Sequence, residues 1–162
     1  MQRDVFHLKL HCLHTSTRQF SCSDDDITEA IGFTAYAAED RFYNFYETVL
    51  FDAIVSNRGG YYNPLTSSFI CPLNGIYMFF ITLNTDYSSV RATITRNSDD
   101  LTMTWARTTV PGEFNHGSNM AVTECNIGDV IWSRVEFTGY DRIVYTGDKP
   151  VTTFSGVLVR TF

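Results

Sequence analysis

The run Phe69-Ile70-Cys71-Pro72-Leu73-Asn74-Gly75-Ile76-Tyr77-Met78-Phe79-Phe80-Ile81-Thr82-Leu83 limits what this chain can fold into more than any other stretch. Pro72 cannot donate to a ladder, and Asn74-Gly75 supplies the left-handed backbone that a tight turn needs, so the run is predicted to be strand, corner, strand. After Gly75 there is no helical stripe. Ile76, Met78 and Phe80 point one way while Tyr77, Phe79, Ile81 and Leu83 point the other, so both faces of the second strand are apolar. An antiparallel strand with one wet face would alternate with polar residues. If the sheet is antiparallel, one face of this strand belongs to the core and the other must meet a second sheet, a long loop or another copy of the chain.

The remaining composition agrees with a β protein. A chain of 162 residues is one domain with room for a short extension, and 44% hydrophobic residues with 13 Phe and 9 Tyr favour strands and a real core. The net charge of −6, with no basic stripe gathering the 12 Lys and Arg, excludes a surface that tracks nucleic-acid phosphates. No apolar run approaches the ~20 residues that cross a bilayer, so membrane insertion is not expected. Asp4, His7 and Lys9 interrupt the start of the sequence where a secretory signal would place an unbroken apolar segment.

Two regions follow from the pattern. Residues 1–30 read as a partly disordered N-terminal extension ending in the acidic linker Ser23-Asp24-Asp25-Asp26, and residues 31–162 as the folded head. From Gly32 onward, about ten short β runs alternate with Gly, Asn, Asp and Pro clusters, the pattern of an all-β sandwich or barrel. Predicted runs include Phe33–Ala37, Thr48–Ser56, Ile76–Thr85, Ser89–Thr95, Leu101–Arg107, Asn119–Cys125, Val130–Phe137 and Thr152–Arg160. The segment Glu39–Tyr46 has no clean period and reads as a loop.

Signatures of catalysis are missing. The chain lacks glycine-rich phosphate loops, His-Glu-X-X-His and Gly-X-Ser-X-Gly, and His116 is the one histidine of the head, so no catalytic residue is assigned and an enzyme is not expected. Cys71 and Cys125 sit in apolar runs without a cationic neighbour in sequence and read as buried thiols. Four cysteines permit three complete pairings; Cys12 and Cys22 are the more suggestive of a loop-closing disulfide. His7, His11, Cys12, His14 and Cys22 form a metal-like cluster whose spacing matches no common zinc pattern, and Asp24, Asp25, Asp26 and Glu29 lack the loop that would hold calcium.

The central run and its neighbours resemble a family. Val49-Leu50-Phe51-Asp52, Asn57-Arg58-Gly59-Gly60-Tyr61-Tyr62-Asn63-Pro64 and Phe69-Ile70-Cys71-Pro72-Leu73-Asn74-Gly75-Ile76-Tyr77-Met78-Phe79 are similar to the first half of the globular domain of complement C1q and its relatives in the tumour necrosis factor superfamily. Gly128-Asp129-Val130-Ile131-Trp132 and Thr153-Phe154-Ser155-Gly156-Val157-Leu158 resemble its second half. The resemblance implies a ten-stranded antiparallel jelly-roll sandwich and a homotrimer, with Tyr77, Phe79 and Ile81 expected at the trimer interface. It further implies an extracellular, secreted recognition protein of innate immunity that binds microbial glycans or bacterial surface patterns, or alternatively a signalling or structural head that binds a protein receptor. Without a Gly-X-Y stalk, the sequence looks like the soluble stalkless members. Ligand is expected in loops, at Arg107, Asn115 and His116 and at Tyr140, Asp141, Arg142 and Tyr145. Relatives that bind calcium carry Asp near the positions of Arg107 and Asn115; a cation there would meet the guanidinium, so no cofactor is expected, calcium included.

Overall fold

The structure, a computed structural model, describes residues 30–86, 89–136, 141–143 and 149–162, the segment 141–143 by its backbone. Residues 1–29 of the expected extension, with its His/Cys cluster, acidic run and Cys12 and Cys22, lie outside the described residues, as do Tyr140 and Tyr145.

Every regular element among the described residues is a strand. One five-stranded sheet runs in the order β3 (Ala53–Arg58), β1 (Gly32–Tyr36), β12 (Thr153–Thr161), β6 (Gly75–Asp86) and β9 (Phe114–Cys125). The other runs β4 (Tyr62–Asn63), β5 (Ser68–Ile70), β10 (Val130–Val135), β7 (Ser89–Arg96) and β8 (Asp99–Arg107). A small pair, β2 (Arg41–Tyr43) with β11 (Asp141–Ile143), is set beside them. All pairings are antiparallel. The two large sheets supply the ten strands of the expected jelly roll, and no helix of the described residues is long and apolar enough to cross a membrane.

The sheets close on an aromatic core. Phe33 of β1 stacks on Tyr62 with ring centroids 4.4 Å apart and on Phe69 at 5.2 Å, while Phe154 of β12 meets Phe33 edge-on at 5.1 Å. Phe51, Phe79, Ile81, Leu83, Ile94 and Ile131 complete the fill, all without solvent exposure. Offset and edge-to-face rings add a geometric preference to the burial of their area.

Three local expectations are corrected. The segment read as a loop over Glu39–Tyr46 contains β2, a strand too short to display alternation. Strand β3 begins at Ala53, whereas Thr48 makes only an isolated bridge to Arg134. Neither Asn74 nor Gly75 adopts the left-handed conformation expected of the turn. Glycine is required at 75 for a different reason: a Cβ there would strike the carbonyl of Arg160 on β12.

Candidate functional site

Strand β6 lies inside its sheet, between β12 and β9, and the ladder registers decide which side chains share its outer face. Met78 stands opposite Val122 of β9 and Val157 of β12, and Phe80 opposite Met120 and Ser155. The next row is Ser118, Thr82 and Thr153, continuing to Tyr36 of β1. Met78, Phe80, Met120, Val122 and Val157 therefore form one apolar centre on the outside of the sandwich, and each is exposed between 36% and 60%. Polar side chains border it. Thr34 and Ser155 share a hydrogen bond of 2.9 Å, and Thr82 and Ser118 one of 3.1 Å. An apolar centre with a hydrogen-bonded polar margin is the anatomy of a protein interface.

This placement corrects the expected interface residues. Tyr77, Phe79 and Ile81 have no solvent exposure and point between the sheets, where Tyr77 packs parallel to Phe79 and its hydroxyl donates to the Leu73 carbonyl at 2.8 Å. Burial pushes the Tyr77 hydroxyl up to about 12. The alternate set of the same strand, with Met78 and Phe80 at its centre, is the one that faces outward. Sequence reasoning found the two-faced strand but had no contrast of polarity with which to orient it.

Of the expected ligand residues, Arg107, Asn115 and His116 gather at one end of the sandwich, where β6 and β8 end and β7 and β9 begin. Asn115 and His116 belong to strand β9 and not to a loop: they pair with Thr85 and Asn84 of β6. Arg107, the last residue of β8, is exposed and pairs with Ser89 of β7. The Asn115 amide donates to the Arg107 carbonyl at 2.7 Å, and Asn119 repeats the contact to Met103 at 2.8 Å. Between them, Gly117 leaves space that the Trp105 carbonyl occupies. The alternate residues Asn115, Gly117 and Asn119 thus lace the edge of one sheet to the edge of the other, while His116, of opposite parity, is exposed. Asp141 and Arg142 also lie on a strand, their backbones opposite Tyr43 and Phe42.

Trp105 and Trp132 lie in β8 and β10 as expected. Trp105 is half exposed, carries the Arg91 guanidinium 4.3 Å above its ring and donates to Ser89 at 2.9 Å. A second exposed aromatic group was not foreseen: Phe45 packs against Tyr46 with ring centroids 3.9 Å apart beside Arg134, whose guanidinium lies 4.8 Å from the Tyr46 ring and pairs with Asp100 at 2.9 Å and Glu136 at 2.8 Å. The irregular spacing of these aromatics in sequence gave no periodic signal. Among the described residues, no three His, Cys, Asp or Glu side chains stand together as a metal-ligand set.

Comparison with known proteins addresses the family. Mouse (Mus musculus) complement C1q tumor necrosis factor-related protein 6 is 27% identical over 116 residues, 70% of this chain and 43% of that protein. Mouse complement C1q and tumor necrosis factor-related protein 9 is 26% identical over 113 residues, 68% of this chain and 33% of that protein. The chain thus spans less than half the length of these relatives. Among solved structures, the globular domain of zebrafish complement 1qA matches with a TM-score of 0.66 at 18% identity, covering 83% of this chain and 100% of that one. Murine APRIL matches with a TM-score of 0.63 at 12% identity, covering 82% and 100%. Identities this low establish the shared fold. A family model described as the C1q domain matches residues 32–159, from the first strand of the sandwich into the last, and the chain belongs to that family.

Proposed function

We propose that this chain is a non-catalytic recognition head that assembles as a homotrimer outside the cell and binds microbial glycans or other surface patterns. The observation that carries the assembly is the outward row of Met78, Phe80, Met120, Val122 and Val157, an apolar centre within a polar margin on a sheet whose other face already fills the core. Leaving it in water wastes the burial of five apolar side chains; covering it with symmetry-related copies recovers it. Membership of the C1q family supports three as the number of copies and an extracellular setting. Each trimer then presents three copies of the end that carries Arg107 and His116, so weak contacts to a repetitive surface add through multivalency.

The test is the solution mass of the purified chain, measured together with its binding to a glycan panel and to whole bacteria, with and without a chelator. A trimer that binds supports the proposal, and binding that persists in chelator supports a metal-free site. A monomer at micromolar concentration removes the assembly reading.

A protein receptor is the second reading. Phe45 and Tyr46 beside Arg134 favour it, because exposed aromatic and Arg side chains in one patch are the residue types that dominate protein-protein binding energy. A trimer silent on every glycan and bacterium would move the assignment to that patch.

A further inference from the structure

Cys71 and Cys125 are far apart in sequence and are brought together by the meeting of a corner and a turn. Cys71 follows β5 at the corner before Pro72. Its N–H donates to the Asp129 carbonyl at 2.9 Å, and its own carbonyl accepts from the Gly128 N–H at 2.9 Å. Cys125 ends β9 opposite Gly75 and opens the turn that contains Gly128 and Asp129. The Ile127 N–H of that turn donates to the Asn74 side chain at 2.8 Å, so three hydrogen bonds hold the two backbones side by side.

Both side chains turn inward, with 0% and 1% exposure, and the two thiols lie close enough to perturb one another's ionisation. Both are free thiols in this structure. Neither belongs to the apolar face or to the ligand-reading end, and no metal-ligand set includes them among the described residues. Two cysteines whose backbones are held side by side can close a bond by side-chain adjustment when their Cα atoms lie within about 7 Å.

We propose that Cys71 and Cys125 are a covalent modification site, joined as a disulfide when the chain meets an oxidising small-molecule disulfide such as oxidised glutathione. One of the two thiolates attacks one glutathione sulfur and expels a glutathione thiolate, leaving a mixed disulfide. The other thiolate then attacks the protein sulfur of that mixed disulfide and expels the second glutathione. The protein loses two protons and two electrons, and the oxidant becomes two molecules of reduced glutathione. Since both sulfurs are buried, the exchange takes place before the corner packs against the turn or when it opens locally. The product ties β5 of one sheet to β9 of the other and shortens the unfolded chain's reach.

The full chain, incubated with reduced and oxidised glutathione, should be unfolded in an alkylating reagent, digested and analysed by mass spectrometry. The expected result is one linked peptide pair joining Cys71 to Cys125. Its melting midpoint should fall on the order of 10 °C when reductant is added, and the Cys71→Ala, Cys125→Ala double variant should melt at one temperature with or without reductant. Recovery of both cysteines alkylated, capped by glutathione or linked to Cys12 or Cys22 would overturn the proposal. So would an equal reductant effect in the double variant. The peptide map decides the matter even where the variant fails to fold.

Discussion

Asn97 and Val130 exchange hydrogen bonds across two turns: the Val130 N–H donates to the Asn97 side-chain oxygen at 2.9 Å, and the Asn97 N–H donates to the Val130 carbonyl at 2.8 Å. The Asn97 amide also donates to Asp129 at 2.9 Å, and Trp132 donates its indole N–H to the Asn97 carbonyl at 3.1 Å. Asn97 has a φ of 55°, which asparagine tolerates better than alanine does. Asn97→Ala should therefore cost about 1–3 kcal/mol, and Asn97→Gly, which keeps the backbone, should cost less. Urea unfolding of the two variants measures both; equal losses would mean that the backbone conformation contributes nothing.

The same clasp makes stability depend on acid. Asp129 accepts from the Asn126 N–H at 2.8 Å as well as from Asn97, and these bonds, in that order, hold its carboxyl below the usual 3.8. A depressed carboxyl stabilises the fold fully above the unfolded value and loses that contribution as pH falls through the folded one. Thermal melts between neutrality and strong acid should show the wild type losing its advantage over Asp129→Asn below about pH 4. A constant difference across that range would contradict the assignment.

Gly156 is a packing requirement. A methyl group there would come within 2.6 Å of ring atoms of Phe33 and Phe79, both of which are held by other aromatic rings. Gly156→Ala should destabilise by about 1–3 kcal/mol, read as a lowered urea midpoint at unchanged slope.

Phe79 and Phe80 are neighbours with opposite duties. Phe79→Ala empties part of the core and should cost about 3–5 kcal/mol of folding stability. Phe80→Asp, at the centre of the outer apolar face, should leave the melting of the single chain nearly unchanged while converting a trimer to monomer in light scattering. A charged residue at 80 that left the assembly intact would show that copies meet elsewhere.

At the end proposed to read the ligand, the Arg107→Ala, His116→Ala double variant removes two exposed side chains while leaving the β8 carbonyl that Asn115 uses. Binding to bacteria or glycans should weaken at least tenfold, equivalent to about 1.4 kcal/mol, with the trimer retained. Full binding by this variant would locate recognition elsewhere.

Much of the fold is legible in the order of the amino acids. Alternating runs around Gly, Asn and Pro mark most strands of the two sheets, and the motifs near Phe69 and Phe154 mark the family. Legibility fails where local pattern and tertiary environment part. Asn115 and His116 look like loop residues because they are polar, yet their backbones pair with β6 and the Asn115 side chain is used in joining β9 to β8. Arg41–Tyr43 is a strand only because β11 pairs with it.

By itself, the sequence determined that residues 76–83 form a strand with two apolar faces, and that one face must be covered by something beyond its own sheet. It could not say which, because a period of two separates the faces without labelling them when Tyr77 and Met78 are both apolar. Only the tertiary structure decided that Tyr77, Phe79 and Ile81 meet the second sheet while Met78 and Phe80 face outward. The reason is cooperative: the larger rings on that side complete one aromatic core with Phe33, Phe69 and Phe154, residues scattered along the chain and gathered by strand order alone.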